Sequence, residues 1–423
     1  MTKHACNNLR KKITAIILSL AAITTSNAAT PGIMSHIDKA RCDAWVDSVY
    51  ATMTLRQRVG QLFVPKVSPA NVTAAKQTIA TYVNTNGIGG LLFSKGTVEQ
   101  FAILTDYAQS LSKIPLVMTL DGEWGLAMRV TGAPRFPYNM SLGAIDDPRL
   151  LYDYGREVAR QCSIMGIQVN FAPVLDVNSN PDNPVIGFRS FGENPARVSL
   201  LGNAYSRGLE DGGVMAVAKH FPGHGDTSTD SHKTLPTVGH SMSQLKEVDL
   251  YPFQEFIDSG LSGIMVGHLN VPALDPTGTP SSLSSKITTS LLKEEMGFSG
   301  LVWTDGLAMK GAVNPGENNC VSALKAGADV LLEPTSLKND IAAVYEAVRN
   351  GTIPESLIEE RCKKLLAYKF ALGLSSTPAK VNIPGLKKKL NSPEAEAVNR
   401  RLAAAMVTCL SNKADLLPIR NLD

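Results

Sequence analysis

The chain has no CxxC pair, and past residue 23 it has no apolar run long enough to cross a bilayer. Six cysteines occur, Cys6, Cys42, Cys162, Cys320, Cys362 and Cys409, at wide and irregular spacings. That pattern excludes a zinc-ribbon or disulfide-framework protein, and small buried apolar roles are expected instead. Charge is scarce at 19%, while 44% of residues are hydrophobic, which excludes a mainly disordered chain or a coiled coil. The formal net charge of +3 includes Lys3, Arg10, Lys11 and Lys12, in a stretch of 28 residues with no acid. Without them the balance is 3 − 4 = −1, so there is no electrostatic footprint for nucleic acid. The 423 residues leave room for two or three domains, or for one large α/β barrel with an extension.

The N-terminus has the order of a secretory signal. A basic stretch over 1–12 precedes the apolar run Ile13 to Ile23, and Ser26-Asn27-Ala28 supplies small residues at a cleavage site. The run is shorter than the roughly 20 residues of a spanning helix, which argues against an anchor. The expectation is an exported protein, periplasmic or secreted, cut near Ala28, with no integral membrane segment after cleavage.

From about 55 to 350, short β-rich apolar runs alternate with helical stretches. Strands are expected at Gln61–Val67, Ile88–Phe93, Pro115–Leu120, Gln168–Pro173, Met215–Lys219, Gly263–Val266, Gly300–Thr304 and Asp329–Leu332. Amphipathic segments separate them near 71–83, 97–112, 149–165, 195–211, 243–259, 284–296, 317–326 and 336–349. Eight strands with near-continuous apolar cores, each followed by a helix, fit a (β/α)8 barrel of the TIM type better than an open doubly wound sheet. In such a barrel, functional groups lie at or just past the C-terminal ends of strands. Asp121, Lys219, His220, His268 and Asp305 all fall there. The domain reading is a signal peptide over 1–28, a catalytic domain over 36–375, and a remainder over 376–423. In that remainder Pro378 to Pro384 is a linker and Ser392–Asn412 a helix, with Ser392-Pro393 at its start.

The densest chemistry is Lys219-His220-Phe221-Pro222-Gly223-His224-Gly225-Asp226-Thr227, running on through Asp230-Ser231-His232-Lys233. Five of the seven histidines lie between 220 and 268. Gly and Pro make this an irregular loop directly after a strand. Such a loop suits metal ligation, or acid–base work with Asp230 orienting His232. A second signal is Thr304-Asp305-Gly306-Leu307, a carboxylate at a strand end, whose bland reading is a helix N-cap. A third is Arg189 in Ile186-Gly187-Phe188-Arg189-Ser190-Phe191-Gly192, suited to gripping a hydroxyl-rich or anionic ligand or to pinning its own loop through carbonyls.

Lys219–Lys233, Arg189-Ser190-Phe191-Gly192, Asn170-Phe171-Ala172-Pro173-Val174-Leu175-Asp176 and Thr304-Asp305-Gly306-Leu307 together resemble glycoside hydrolase family 3, and within it the β-N-acetylglucosaminidase branch. The resemblance covers about residues 50–375. It implies exo-acting, retaining hydrolysis of terminal β-linked N-acetylglucosamine, with peptidoglycan fragments as the expected substrate and a monomer as the expected state. Asp305 matches the nucleophile, His232 the acid/base and Asp230 its dyad partner. Asp121, Arg189, Lys219 and His220 match positions that hold sugar hydroxyls. No metal or cofactor enters that scheme. A His in place of the second carboxylate of a retaining glycosidase avoids a second negative charge and lets an anion such as phosphate approach.

Asp121-Gly122-Glu123-Trp124-Gly125 departs from the DQEGG of small bacterial members and resembles larger exported ones with further domains. Those continue past a segment like Ala405–Pro418, so the extension reads as the truncated start of another domain. Competing readings are a β-glucosidase or a β-N-acetylglucosaminide phosphorylase on the same site, and a non-catalytic muropeptide-binding protein. A zinc hydrolase using His220, His224 and His232 is a further alternative. The lack of His in Gln61–Val67 argues against it, since such barrels often carry a His-x-His pair on the first strand.

Overall fold

The computed structural model of the chain describes residues 32–230, 234–313, 316–413 and 417. The leader expected over 1–28 lies outside them. Eight parallel strand positions follow one another: β1 (Phe63–Val64, resumed at Lys66–Val67 beyond Pro65), β2 (Gly90–Phe93), β3 (Val117–Leu120), β4 (Val169–Asn170), β5 (Met215–Phe221), β6 (Gly263–Val266), β7 (Leu301–Thr304) and β8 (Leu331–Leu332). Seven of them form one curled sheet in the order β7-β6-β5-β4-β3-β2-β1. Past β7 the ladder goes on through Thr304 N–H to Val330 O at 3.1 Å and the Trp303–Val330 bridge. It then passes from β8 to β1, where Phe63 pairs with Leu331 and Val64 with Leu332.

Apart from Lys66, the strand residues are buried on both faces, which is why the runs read as continuous hydrophobics. Val117, Val169, Met215, Val217, Met265, Leu301, Trp303 and Leu332 share one inner cluster, in which Phe171 and Trp303 meet edge-on at 5.2 Å between centroids. Their neighbours Met118, Ala216, Ala218, Ile264, Val302 and Leu331 belong to an outer cluster that packs against the helices. Side chains alternate with period two along a strand, so the inner face continues to Asp121 from Val117, to Lys219 from Val217 and to Asp305 from Trp303.

Helices follow the strands where expected, over Val72–Asn86, Val98–Leu111, Pro148–Ile164, Pro195–Asp211, Tyr251–Asp258, Lys286–Glu295, Asn319–Ala326 and Leu337–Arg349. Several open on caps legible in the sequence. Thr97 and Gln100 form a capping box, and Asn71, Asp147 and Asn194 each accept a first-turn N–H. Several elements depart from expectation. Gln61 closes the helix Leu55–Gln61 instead of opening β1. Two helices, Lys39–Ala51 and Glu355–Ala371, were not anticipated. The C-terminal helix starts at its Ser392 cap as expected but stops at Ala405, short of Asn412. That helix lies against Pro148–Ile164, with Leu402 fully buried and Arg401 paired to Asp153 at 2.8 Å. Cys42, Cys162, Cys320 and Cys362 are free and buried, and Cys409 is exposed.

The mouth at the strands' N-terminal ends is plugged. Ile33 enters the inner cluster together with Leu365, Tyr368 and Leu374. Nearby, Glu210 is buried and accepts from Ser262 N–H at 2.8 Å and Ser262 Oγ at 2.9 Å. Burial pushes its carboxyl up to about 8, against the opposing pull of those bonds. A raised carboxyl contributes stability that is complete below the unfolded value near 4.5 and is lost as pH rises through 8. Glu210→Gln is expected to remove that loss. Melting temperatures of variant and wild type should match near pH 4.5, and the variant should melt higher at pH 8.5. Parallel curves across that window would refute the assignment.

Candidate active site

At the C-terminal ends of the strands a chain of buried charges links four elements. Lys219 Nζ donates to Asp121 Oδ1 at 3.0 Å and lies 2.8 Å from Glu123 Oε1. Arg189 grips Glu123 with both prongs, Nε to Oε2 at 2.9 Å and Nη2 to Oε1 at 2.8 Å. Arg129 Nη2 meets the free edge of Asp121 at 3.0 Å. Burial opposes ionisation of Glu123, but Arg189 and Lys219 hold its carboxyl well below the usual range. Asp121 is likewise lowered, as Lys219 and Arg129 outweigh its burial.

His220 completes this row through a local irregularity. The β5–β6 register shifts between Ala218 and Phe221, a bulge that re-aims the side chain. Its Nε2 lies 3.2 Å from Arg189 Nη2 and its Nδ1 2.7 Å from Asp176 Oδ2. A guanidinium nitrogen can only donate, so Nε2 accepts and Nδ1 donates to Asp176. Asp176 also accepts from His224 N–H at 2.7 Å, so one carboxylate organises both ends of the His-Phe-Pro-Gly-His turn.

The glycines of that turn are required by contact. A Cβ on Gly225 would lie 1.6 Å from Val177 O, and one on Gly223 2.7 Å from Asp249 Cβ. Asn183 Nδ2 fixes the same stretch through His224 O at 2.8 Å and Gly225 O at 3.0 Å. His224 is pushed down to about 4, chiefly by burial, and its Nδ1 lies 2.7 Å from Thr227 Oγ1.

Asp305 sits just past β7. Its backbone N–H reaches Val266 O at 3.0 Å, and its Oδ1 accepts from Gly306 N–H at 2.7 Å. No helix starts there, so the N-cap reading is dropped. Burial opposes its ionisation, yet the imidazoles of His268 and His220, the Gly306 N–H and Lys219 outweigh it and hold the carboxyl at about 2. His268 braces this turn, with Nε2 2.9 Å from Gly306 O and Nδ1 2.6 Å from Ser282 Oγ.

Asp121, Arg189, Lys219 and His220 are thus joined directly, and Asp305 is tied to Lys219 and His220 by charge. Asp230 is described on the loop, where its carbonyl accepts from Thr234 N–H at 3.1 Å. His232 lies outside the described residues. Of the two readings made of Arg189, the pinning of its own loop is seen, with Nη1 donating to Val185 O at 3.2 Å. Glu123 and Asp176 were quoted within motifs but given no role, and in the structure each is a hub. Arg129, and Glu333 with its partner Lys66, were not anticipated. Trp124, next to Glu123, and Phe188, next to Arg189, form an aromatic wall with Tyr138, at centroid distances of 4.9 Å for Trp124–Tyr138 and 4.5 Å for Tyr138–Phe188. Among the described residues no group of three His, Cys, Asp or Glu is arranged to hold a metal.

Glu123→Gln leaves Lys219 and Arg189 facing each other without their shared carboxylate. Removing one partner of a buried pair costs about 3–5 kcal/mol, because the remaining charge stays uncompensated. The variant's urea midpoint at pH 7 is expected to fall accordingly, and an unchanged midpoint would contradict the arrangement.

Comparison with known proteins agrees with this geometry. The model of the Glycosyl hydrolase family 3 N terminal domain matches residues 54–368. The chain is 33% identical over 389 residues to Beta-hexosaminidase A of Pseudoalteromonas piscicida, covering 83% of this chain and 64% of that protein. It is 32% identical over 362 residues to Beta-hexosaminidase LpqI of Mycobacterium tuberculosis, covering 82% and 90%. A family 3 β-N-acetylglucosaminidase from Paenibacillus sp. superposes with a TM-score of 0.75 at 32% identity, over 84% of this chain and 69% of that one. The chain therefore spans less than two thirds of the Pseudoalteromonas relative, and its matched portion belongs to glycoside hydrolase family 3.

Proposed function

We propose that this chain is an exo-acting, retaining β-N-acetylglucosaminidase built on the (β/α)8 barrel of its family, exported by its N-terminal leader and acting on peptidoglycan fragments. The observation that carries the reading is Asp305: a buried carboxylate at a strand end, held ionised down to about pH 2 by the groups around it. Similarity to relatives named β-hexosaminidase supports the choice of N-acetylglucosamine.

In this scheme Asp121, Lys219, Arg189 and His220 bind the hydroxyls of the terminal sugar. Asp305 attacks the anomeric carbon as the bond to the leaving oxygen breaks, and His232 gives that oxygen a proton. The covalent glycosyl–Asp305 ester then yields to water, whose proton returns to His232, while Asp230 orients the imidazole. Charge-assisted bonds from the fixed cradle stiffen the ring's position at little cost in reorganisation. His268 holds the Asp305–Gly306 turn still while the carboxylate changes partners.

Phosphorolysis is the second reading, favoured by the cationic Lys219, Arg189 and Arg129 around the site. Phosphate in place of water would give the sugar 1-phosphate. A panel of aryl β-glycosides, with and without phosphate, followed by product identification separates these outcomes. Asp305→Ala is expected to lower kcat for 4-nitrophenyl N-acetylglucosaminide by about 10⁴-fold or more. A 2-fluoro sugar should form an adduct on the peptide containing Asp305. An adduct elsewhere, or wild-type rates in Asp305→Ala, would overturn the nucleophile.

A further inference from the structure

The loop after β5 leaves the barrel through Asp226 and returns through His240, and these two residues meet. His240 Nδ1 lies 2.6 Å from Asp249 Oδ2, and its Nε2 lies 3.4 Å from Asp226 Oδ1. The three groups stand on separate pieces of chain. The outgoing stem is tied to the loop after β4, where Asn180 Nδ2 donates to Asp226 O at 3.3 Å. The returning stem is tied to the loop after β6, through Val238 N–H to Asn270 O at 2.9 Å and Asn270 N–H to Pro236 O at 2.8 Å. Asp249 ends the helical turn Leu245–Asp249 beneath the Gly223 turn, 1% exposed, with no partner for Oδ1 among the described residues. His240 is thus the side chain that joins the outgoing stem to the returning one.

We infer that His240 is a positioning residue for the loop that carries Asp230, a clasp that holds the loop's two stems together through Asp226 and Asp249. The inference rests on the acid/base reading above and adds to it where the loop is held. The charged groups that act on this spot are Asp226 on the outgoing stem, Asp249 below, and Asp176 behind Asp249 from the loop after β4. Burial, with Asp226 and Asp176 adding to it, pushes the Asp249 carboxyl up to about 6 against His240.

The test uses leaving groups. The phenyl glycoside of N-acetylglucosamine needs a proton to depart, whereas the 2,4-dinitrophenyl glycoside does not. His240→Gln is expected to lower kcat/KM for the phenyl substrate about 10- to 100-fold, and for the dinitrophenyl substrate by no more than about threefold. Asp226→Asn, which leaves the His240–Asp249 pair in place, should show the same contrast. General damage to the pocket would depress both substrates alike, and that result, or no loss for either, overturns the proposal. Amide hydrogen exchange at pH 6 reads the clasp without turnover. Exchange over 226–230 should be about tenfold faster in His240→Gln than in wild type, and equal protection overturns the clasp. Wild-type protein that hydrolyses neither glycoside overturns the glycosidase reading itself, and the exchange contrast then still decides the clasp.

Discussion

The site depends on Lys219. Its ammonium ends the inward row of β5, where the barrel offers no water, and taking such a charge out of water costs several kcal/mol unless partners surround it. Asp121 and Glu123 surround it, and each of these has a second cation of its own, Arg129 and Arg189. The cradle thus pairs three cations with two carboxylates. Asp305 stands beside it and is kept ionised in spite of burial chiefly by the imidazoles of His268 and His220, with the Gly306 N–H and Lys219 adding to them. Structure and chemistry share one constraint here: a change that neutralises any member alters both the packing of charges and the state of Asp305.

Much of this was legible before the fold was seen, because a strand buried on both faces leaves its residues no choice but to be apolar until the strand ends. The eight apolar runs therefore located the strands, and the first polar residues past them, Asp121, Lys219 and Asp305, located the face. What escaped was whatever depends on contact between distant segments. Glu123 is two residues past a recognised aspartate, yet its role comes from Arg189 and Lys219, far off in sequence. Asp176 had the same fate, since its partners His220 and His224 come from the next unit. The helix Glu355–Ala371 escaped for another reason. It buries Arg361 and Lys369 along with Ile358 and Leu366, so its polar residues do not mark a solvent face and the periodicity is blurred. The C-terminal helix was overextended past Ala405 because its alanine-rich end continues a helical pattern with no capping glycine. Only the burial of Leu402 against Pro148–Ile164 shows where packing stops.

Buried charge in this fold is handled in two ways, by pairing and by neutralisation. At the strands' C-terminal end Asp121, Glu123, Lys219, Arg129 and Arg189 each have an opposite charge within bonding distance, as Asp329 has at the other end in Lys293, Arg361 and Lys364. At the other end Glu210 is answered by a hydroxyl and an amide, and burial shifts it toward neutrality. A proton taken up at that end changes stability, and a proton taken up in the cradle would cost the site its geometry.

That division leaves the loop after β5 as the place where the site responds to pH. The cradle is locked by mutual pairing, Asp305 is ionised down to about 2, and burial keeps His224 from protonating above about 4. The carboxyl of Asp249, pushed up to about 6 chiefly by burial, stands under the loop. A retaining glycosidase needs one group that changes charge twice per turnover and another that never does. A rigid strand end suits the second, since any movement of Asp305 relative to Lys219 would spend the field that keeps it charged. A loop held at its two stems suits the first, because its imidazole can gain and lose a proton without disturbing the ion pairs of the barrel. In the proposed scheme a histidine in place of a second carboxylate follows from the same electrostatics: a neutralisable base near Asp305 adds no lasting negative charge beside a carboxylate that must stay ionised.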